Sequence, residues 1–500
     1  MTQPTNSKSD FAQELASYLS EKDFVYGPEP ELYGAIAGFY TYGPLGKRLK
    51  NNIEAIIRKA FTRKGFFEIE YPILAPAAVW KASGHLENFN DATIICSKCK
   101  SSFRADKLVE EKTGNQNTTH LSDDELLKEI KTADIKCPNC KGRLELEIKR
   151  YSLMMKTTVS TDTEAYARPE TATTTFLPFK HYANFFRNQW PAGVFQIGKV
   201  FRNEISPRQH LLRAREFTQA ESQFILSGEM KQSWNIEKIQ NEKLPLWTEA
   251  MQKKSEKTRF ISLKEALEKK ILKTPAFAWN LWLSNHIFME LGFPPEKIRF
   301  RQHHSDERAF YSEDTWDLEI ELNSFGWTEM CGISDRSDYD LKQHSKFSGQ
   351  KLSARTAEGK EFFPHIIEIA FGIDRPLFAL CDIFYQKREK DEKRTILAFP
   401  PRMAPIQTAV FPLVNKDGLN EKAREVHQKL EQQFLSFFDD AGSIGKRYSR
   451  MDAVGTPYCI TIDYDSLKQN DATVRERDSM KQTRVPIKEL ETFLTQGLSQ

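Results

Sequence analysis

The segment from Phe201 to Phe217 constrains the fold of this 500-residue chain more than any other. A mostly apolar run from Val194 to Phe201 predicts a strand that leads into a hairpin. Arginines cluster on both sides of the short polar loop that follows, and a lone aromatic, Phe217, closes the segment. A surface hairpin gains little stability from so many charges. We therefore expect it to hold a polyanionic ligand, such as a triphosphate, beside an aromatic face that can accept a base.

Individual side chains of this arginine hairpin suit a nucleotide. Arg202 and Glu204 are two residues apart and so share one face of a strand. A guanidinium binds phosphate through a bidentate fork, and a carboxylate can accept from an exocyclic amine. Phe217 follows Arg213 by four residues and can stack on a purine, a contact worth about 1–3 kcal/mol. The alternative is a salt-bridged edge hairpin without a ligand.

A second segment could complete the same site. An apolar strand beginning near Ile366 passes through Gly372 into a helix, and Arg375 lies at that junction. The arginine could face a nucleotide from the side opposite Phe217. This pattern is weak evidence alone and becomes strong evidence beside the hairpin.

A third segment precedes both. Residues 44–64 carry apolar side chains at helical spacing, with Pro44 at the start and Gly65 just past the end, the order that helices favour. An extended run, residues 66–71, follows and stops at Pro72. The unit could be an interface element or an ordinary helix–strand pair, and composition does not decide between them.

Composition narrows the class of protein. Hydrophobic residues make up 39% of the chain and charged residues 28%, as in soluble globular proteins. No apolar run reaches membrane-spanning length, and the polar residues 1–10 lack the apolar core of a secretory signal. We therefore expect a cytoplasmic protein without a membrane partner. The formal net charge is +3, so any contact with nucleic acid must come from local basic patches.

Four of the seven cysteines form two Cys-x-x-Cys pairs, Cys96 with Cys99 and Cys137 with Cys140. In a cytosolic chain this spacing is typical of a four-thiolate structural zinc site. Between the pairs, residues 107–134 are charged and helix-prone, and residues 101–136 could loop out. Free thiols or a decayed site are the alternatives. The other three cysteines are expected to be small buried hydrophobic residues.

Taken together, the three segments resemble the three signature motifs of class II aminoacyl-tRNA synthetases. Within that class, further segments resemble the glycyl-tRNA synthetases of the dimeric type found in archaea, eukaryotes and some bacteria: residues 40–46, 167–172, 332–341, 400–405 and 444–448. The resemblance covers roughly residues 22–490. The arginine hairpin is its most specific part.

The resemblance implies an α+β fold, with a class II antiparallel-sheet catalytic core plus helices and a C-terminal mixed-sheet α/β anticodon-binding domain. It also implies a homodimer formed through the first motif. We predict four parts: the N-terminal part of the catalytic domain with the dimer-forming helix and strand at 1–90, a zinc-ribbon-like insertion at 91–150, the rest of the catalytic domain at 151–395 with a helical insertion at 227–270, and the anticodon-binding domain at 396–500.

The last boundary is placed near the charged run 385–394, which we expect to be the end of a helix or a linker. Beyond it, the pattern predicts a strand at 408–414, an amphipathic helix at 419–438 and strands at 458–464 and 472–477. Anticodon bases are single-stranded and are recognised by stacking and edge contacts. The basic residues that could serve there are Lys446, Arg447, Arg450, Arg475, Arg477 and Arg484. A solvated basic surface is the alternative.

The resemblance further implies a reaction. Glycine and ATP, with Mg²⁺, would form glycyl-adenylate, and the glycyl group would move to the 3′ end of tRNA(Gly). Arg202 would hold the α-phosphate, and Glu204 would bind the adenine amine. Arg213 and Arg375 would hold the far phosphates, and adenine would lie between Phe217 and Arg375. Candidate Mg²⁺ ligands are Glu319, Glu321 and Glu329.

The same resemblance also implies which residues bind the amino acid. Glu170, Glu221 and Glu368 would hold the glycine ammonium and crowd out larger amino acids. Arg168 and Ala370 would belong to the same pocket.

The chain departs from the family twice in this pocket. Ala370 stands where the family usually has serine, and Thr173-Thr174 stands where it usually has Gln-Gly. We therefore hypothesise that glycine selectivity is weaker or differently built here. Two alternatives remain: a synthetase for another small amino acid, and a catalytically inactive, synthetase-like nucleic-acid-binding protein. Retention of the hairpin side chains argues against the second.

Overall fold

The structure is a computed structural model that describes residues 8–114, 118, 121–205, 207, 209–305, 307–308, 312–388 and 391–499. Several residues mentioned in the sequence predictions lie outside this described part of the chain: the N-terminal residues 1–7, Ser206 and Arg208 of the arginine hairpin, and Glu389 and Lys390 of the charged run.

A nine-stranded sheet is the centre of the larger domain, and most of its neighbouring strands pair antiparallel. Parallel pairing is confined to two contacts near its edges. From one edge to the other, the strands are Arg259–Ser262, Lys243–Trp247, Ile298–Gln302, Asp314–Leu322, Gly326–Asp335, His365–Gly372, Glu216–Leu226, Ala192–Phe201 and Phe66–Glu68.

Shorter strands form small sheets around this centre: Val25–Tyr26 with Thr41–Tyr42; Leu74–Pro76 with Thr163–Ala167 and Met155–Val159; Ser102–Arg104 with Asn90–Ile95 and Lys149–Ser152; Ala354–Arg355 with Glu361–Phe362; and Tyr385–Arg388 with Asp391–Leu397. The α-helices before the C-terminal domain are Lys8–Glu21, Pro44–Arg63, Ala77–Ala82, His85–Asn88, Ala105–Thr113, Asp123–Thr132, Ala172–Phe176, Phe179–Phe185, Gly228–Ser233, Glu249–Lys253, Leu263–Glu268, Pro275–Leu291, Tyr339–Ser348 and Asp374–Phe384. Single 3₁₀ turns occur at Glu31–Tyr33, His210–Leu212, Pro295–Lys297, Pro401–Met403 and Ile487–Glu489.

The helix Pro44–Arg63, here called the first-motif helix, confirms the prediction from its proline start. Its apolar stripe, which includes Leu49, Ile53 and Ile57, is fully buried in the main core. The strand after it, Phe66–Glu68, is shorter than the predicted extended run. It pairs parallel with Ala192–Phe201 and closes one edge of the central sheet.

The arginine hairpin and the strand-to-helix junction lie side by side in this sheet. Ala192–Phe201 pairs antiparallel with Glu216–Leu226, which pairs in turn with His365–Gly372. The register sets Glu221 opposite Ala370. Because side chains alternate along a strand, residues two apart on each of these strands share one face of the sheet. Both strand predictions are confirmed, and the junction helix, Asp374–Phe384, follows directly.

The prediction of a helical insertion at 227–270 is wrong in its secondary structure. Three short helices alternate there with two strands, which extend the central sheet at its far edge. Leu244, Leu246 and Ile261 of those strands are buried. Lysine and glutamate favour a helix by propensity, but pairing against a neighbouring strand decides the outcome here.

The C-terminal domain contains a mixed sheet, as predicted, and the sheet has five strands. Its strands are ordered Ser436–Phe438, Thr408–Pro412, Tyr458–Ile462, Asp471–Glu476 and Gln482–Pro486, with helices Leu419–Leu430, Ile444–Ala453, Tyr464–Gln469 and Leu490–Leu498. The predicted helix 419–438 ends early because the aromatic run after Phe434 turns and joins the sheet as a parallel edge strand.

The charged run at 385–394 is neither a helix end nor a linker. Its described residues belong to a two-stranded hairpin, Tyr385–Arg388 with Asp391–Leu397. Arg388 donates to the carboxylate of Asp452 in the C-terminal domain over 2.8 Å. The described part of the chain contains no helix that is both long and apolar enough to span a bilayer. The positions of the three boundaries between the four predicted parts remain predictions.

Candidate active site

A cavity of about 200 Å³ opens on the face of the central sheet beside the arginine hairpin. Three neighbouring strands, Glu216–Leu226, His365–Gly372 and Gly326–Asp335, supply much of its wall, because antiparallel pairing brings these distant parts of the chain together. Of the residues predicted from sequence, the cavity is lined by Glu170, Arg202, Glu204, Arg213, Phe217, Glu221, Glu329, Glu368, Ala370 and Arg375.

Arg202 is held between two aromatic rings. Its guanidinium carbon lies 5.4 Å from the ring centroid of Phe217 and 5.5 Å from that of Phe89. Its Nε donates to the carbonyl oxygen of Pro169 over 3.0 Å. These contacts preorganise the guanidinium, and the two terminal nitrogens form the part of the fork that can meet a phosphate.

Glu204 and Arg213 form an ion pair across the hairpin. Arg213 Nε donates to Glu204 Oε2 over 2.7 Å, and a terminal nitrogen of Arg213 donates to the same oxygen. Asp91 lies further out, 3.7 Å from Arg213. A phosphate in the cavity would compete with Glu204 for this guanidinium.

Arg375 reaches the cavity from the N-terminal end of the junction helix. Its Nη1 lies 3.0 Å from Glu329 Oε2 and donates to the Glu329 carbonyl oxygen over 2.9 Å, while its Nε donates to the carbonyl oxygen of Leu212 over 3.2 Å. The guanidinium is thereby fixed between the hairpin and strand Gly326–Asp335. The Arg375 charge lowers the pKa of Glu329.

The three predicted glutamates meet at the inner end of the cavity, and their ionisation differs. Burial, together with the nearby charges of Glu368 and Glu170, raises the pKa of Glu221 to about 8. Glu221 Oε2 accepts from Thr171 Oγ1 over 2.6 Å. Burial also raises the pKa of Glu368, which Arg336 only partly offsets.

Glu170 is the carboxylate that stays ionised. Burial alone would raise its pKa, but His85 and Arg336 outweigh burial and hold the pKa well below its usual value. His85 Nε2 lies 3.6 Å from Glu170 Oε2, and Thr173 Oγ1 donates to Oε1 over 2.8 Å. Thr173, one of the two departures from the family, is therefore a direct support of this carboxylate.

Arg336 was missed as a site residue although it lies in the segment 332–341. It is buried and binds Asp340 through two nitrogens, at 2.7 and 3.0 Å. Its Nη1 lies 3.5 Å from both oxygens of Glu368, which itself accepts from Gln223 over 3.0 Å. The guanidinium thus places one fixed positive charge behind the three glutamates.

The prediction that Arg168 contacts glycine is not supported, because its guanidinium lies outside the cavity lining. Arg168 is 3% exposed and donates to the carbonyl oxygens of Lys199 and Tyr71 and to Gln196 Oε1, over 2.8 to 3.0 Å. A Cβ at Gly198 would lie 2.1 Å from this guanidinium, so the glycine makes room for it. Arg168 braces the loop that carries Glu170.

Two of the three candidate Mg²⁺ ligands lie away from the cavity. Glu319 pairs with Arg299 over 2.6 Å, and neither Glu319 nor Glu321 lines the cavity. Glu329 does line it.

The four paired cysteines converge in the insertion. Their sulfur atoms all lie within 4.8 Å of one another, with 3.5 Å between Cys96 and Cys140 and 3.6 Å between Cys99 and Cys137. These separations are too long for disulfides and close to the ~3.8 Å sulfur–sulfur edge of a tetrahedral site with Zn–S bonds of about 2.3 Å. A Cβ at Gly142 would lie 3.2 and 3.4 Å from two of the sulfurs, so the loop fits closely around them.

Three of the six basic residues predicted to meet tRNA are buried and have other partners. Arg447 donates to backbone carbonyls, Arg475 binds both oxygens of Asp452, and Arg477 donates to the carbonyls of Gly455 and Phe399. They hold the domain together instead of forming its basic surface. Lys446, Arg450 and Arg484 stay exposed or partly exposed.

In comparisons with known proteins, the larger domain and the C-terminal domain match different families. Residues 156–384 match the family described as the tRNA synthetase class II core domain (G, H, P, S and T), and residues 407–497 match the anticodon binding domain family. The glycine–tRNA ligase of Thermococcus gammatolerans is 37% identical over 97% of this chain and 98% of its own length. That of Methanocaldococcus jannaschii is 37% identical over 94% of this chain and 96% of its own. The crystal structure of prolyl-tRNA synthetase from Cryptosporidium parvum shares the fold, with a TM-score of 0.61 at 15% identity, covering 99% of this chain and 79% of the other.

Proposed function

Because this chain belongs to the class II aminoacyl-tRNA synthetases, among the glycine–tRNA ligases, we propose that the cavity beside the arginine hairpin performs both steps of glycylation. The enzyme attaches glycine to tRNA through glycyl-adenylate, releasing pyrophosphate and then AMP. The observation that carries the proposal is the convergence of three arginines and three glutamates, from distant parts of the chain, on one cavity.

In the first step, the glycine carboxylate attacks the α-phosphorus of ATP. Arg202 is proposed to hold the α-phosphate and to stabilise the charge that develops as pyrophosphate leaves. Arg213 and Arg375 would bind the far phosphates, and adenine would stack between Phe217 and Arg375, with Glu204 accepting from its amine. No side-chain nucleophile is required.

Mg²⁺ supplies further positive charge to the triphosphate when bound. Among the candidates named from sequence, Glu329 is the proposed ligand because it lines the cavity. Its carboxylate would then be shared between the metal ion and Arg375.

The glycine ammonium is proposed to bind among Glu170, Glu221 and Glu368. Glu170 supplies a permanent negative charge. The positive charge of a bound ammonium would lower the pKa of Glu221, which would then release its proton to solvent and pair with the ammonium as a carboxylate. The remaining space is small, and glycine is the amino acid that needs least of it.

Four further proposals accompany this activity. We propose that the four paired cysteines hold one structural zinc ion and that the C-terminal domain binds the anticodon of tRNA(Gly). A homodimer through the first motif is supported by exposed apolar side chains beside the edge strand, Phe67 and Phe185, which are 49% and 62% exposed. The cytoplasm is the proposed location.

ATP–pyrophosphate exchange with glycine, alanine and serine tests the activity. Glycine is expected to exceed alanine in kcat/KM by about a hundredfold, the discrimination that a single methyl group allows, because Ala370 leaves more room than serine would. Ala370→Ser should raise that ratio. Preference for alanine or serine would overturn the glycine assignment, exchange with none would favour an inactive protein, and strict selectivity unchanged in Ala370→Ser would refute the weaker-selectivity hypothesis.

The glycine KM is expected to depend on pH through Glu221. Since its pKa is raised to about 8, Glu221 is protonated at lower pH, and binding an ammonium then releases a proton. The glycine KM should therefore fall as pH rises from about 6 to 8, by up to about tenfold per pH unit. Steady-state exchange assays measure this, and Glu221→Gln should have a higher KM without the pH dependence. A flat wild-type profile would contradict it.

A further inference from the structure

A buried carboxylate, Asp374, joins three elements of the larger domain. Its Oδ1 accepts from Lys50 Nζ over 3.1 Å and from the hydroxyl of Tyr42. Its Oδ2 accepts from the backbone N–H of Thr218 over 2.7 Å. Lys50 Nζ also lies 4.1 Å from the centroid of the Tyr42 ring.

The burial of this cluster makes its members interdependent. Lys50 and Asp374 are each 2% exposed, so both charges are largely shielded from water, and only Asp374 of the two lines the cavity. Burial lowers the pKa of Lys50, and Asp374 opposes that shift. Removing one charge from a buried pair leaves the other uncompensated, which is far more costly than breaking an exposed pair.

Two members of this cluster, Asp374 and Thr218, are direct sequence neighbours of residues that are proposed to bind the nucleotide. Asp374 begins the junction helix and directly precedes Arg375. Thr218 directly follows Phe217 in strand Glu216–Leu226. One carboxylate therefore fixes the backbone next to both groups that are proposed to enclose adenine.

Lys50 and Tyr42 contribute from outside the cavity. Lys50 lies on the first-motif helix and Tyr42 on the short strand before it, and neither lines the cavity. Asp374 does line the cavity, and its oxygens accept from Lys50, Tyr42 and Thr218, so these two side chains reach the nucleotide site through Asp374.

We propose that Lys50 and Tyr42 are positioning residues for ATP, which set the separation of Arg375 and Phe217 through Asp374. This inference rests on the proposed nucleotide-binding roles of those two residues. It makes the first-motif helix a structural determinant of ATP affinity. Glycine, held at the other end of the cavity, is affected little.

Lys50→Met combined with Asp374→Asn removes both charges and leaves neither uncompensated. This double variant is expected to raise the ATP KM in pyrophosphate exchange by about tenfold or more, because small displacements of binding groups have large effects, while the glycine KM changes less than about twofold. Tyr42→Phe removes one hydrogen bond and should raise the ATP KM by about threefold.

Asp382→Asn is the matched control. Asp382 is a buried aspartate on the same helix, and it accepts at the opposite end from the backbone N–H of Ser324 over 3.1 Å. The Asp382→Asn variant should have a lower melting temperature and unchanged KM values for ATP and glycine. Equal changes in ATP KM for the control and the double variant, or an unchanged ATP KM in the double variant, would overturn the inference.

Direct variants separate this inference from the proposed function. Phe217→Ala and Arg375→Ala should each weaken ATP binding if the proposed roles hold. If they do and the Lys50–Asp374 variants do not, the positioning inference alone fails. If neither direct variant changes the ATP KM, the proposed nucleotide site itself fails.

Discussion

Replacing Arg202 with alanine is expected to lower kcat for ATP–pyrophosphate exchange by about 10²- to 10³-fold, the loss typical of removing one preorganised group at a developing charge. The two aromatic rings around the guanidinium and its bond to the carbonyl of Pro169 fix it in place before any substrate binds. Because the charge on the α-phosphate changes as pyrophosphate leaves, the loss should appear mainly in kcat. Steady-state exchange at saturating glycine measures it.

Arg202→Lys distinguishes charge from geometry. Lysine keeps the positive charge but has neither the planar fork nor the stacking face, so most of the loss should persist. Arg259→Ala, on an exposed edge strand remote from the cavity, is the control for removal of an arginine and should leave exchange unchanged. A loss below about threefold in Arg202→Ala, in a protein with unaltered melting temperature, would remove Arg202 from the catalytic step.

The features that sequence predicted correctly are mainly local. The arginine hairpin, the proline-started helix and the junction at Gly372 each depend on spacing within one segment, and the structure contains all three. Antiparallel pairing then brings these segments to one cavity. The family resemblance supplied which distant segments belong together, and the alternation of strand residues fixed which side chains share a face.

The features that sequence missed depend on long-range burial. Arg168, Arg475 and Arg477 were expected to meet ligands, but each is bonded to groups inside its own domain. An arginine that binds a ligand and an arginine that donates hydrogen bonds to buried carbonyl oxygens can have the same local sequence. The Lys50–Asp374 pair joins residues separated by 324 positions, so no local spacing could indicate it.

The contacts that support Glu170 also could not be predicted from local sequence. Thr173 was identified only as a departure from the family, and its hydroxyl proves to bind the carboxylate. His85 had no distinctive spacing, yet it lies 3.6 Å from Glu170 and within ring contact of Phe89, which stacks on Arg202. One short segment before the cysteine insertion therefore contacts both halves of the site.

Cys137→Ser is expected to abolish zinc binding and to unfold the cysteine insertion. The insertion has a small core of its own, and apparent binding energies of about 10–16 kcal/mol for structural zinc in isolated zinc fingers indicate how much such a domain can depend on the metal. Metal analysis should find one zinc per wild-type chain and none in the variant. Limited proteolysis should then cut within residues 91–150. Because Asp91 and Phe89 adjoin the cavity groups Arg213 and Arg202, pyrophosphate exchange should fall as well.

Cys459→Ser is the matched control, since Cys459 is buried in the C-terminal sheet and has no cysteine partner among the four clustered sulfurs. It should retain the zinc and the resistance of the insertion to protease, at most lowering the melting temperature. Chelation of the wild-type enzyme should reproduce the Cys137→Ser digestion pattern without any change of sequence. A wild-type protein that contains no zinc and four freely reacting thiols, with a protease-resistant insertion, would mean that this cluster is stabilised by packing alone.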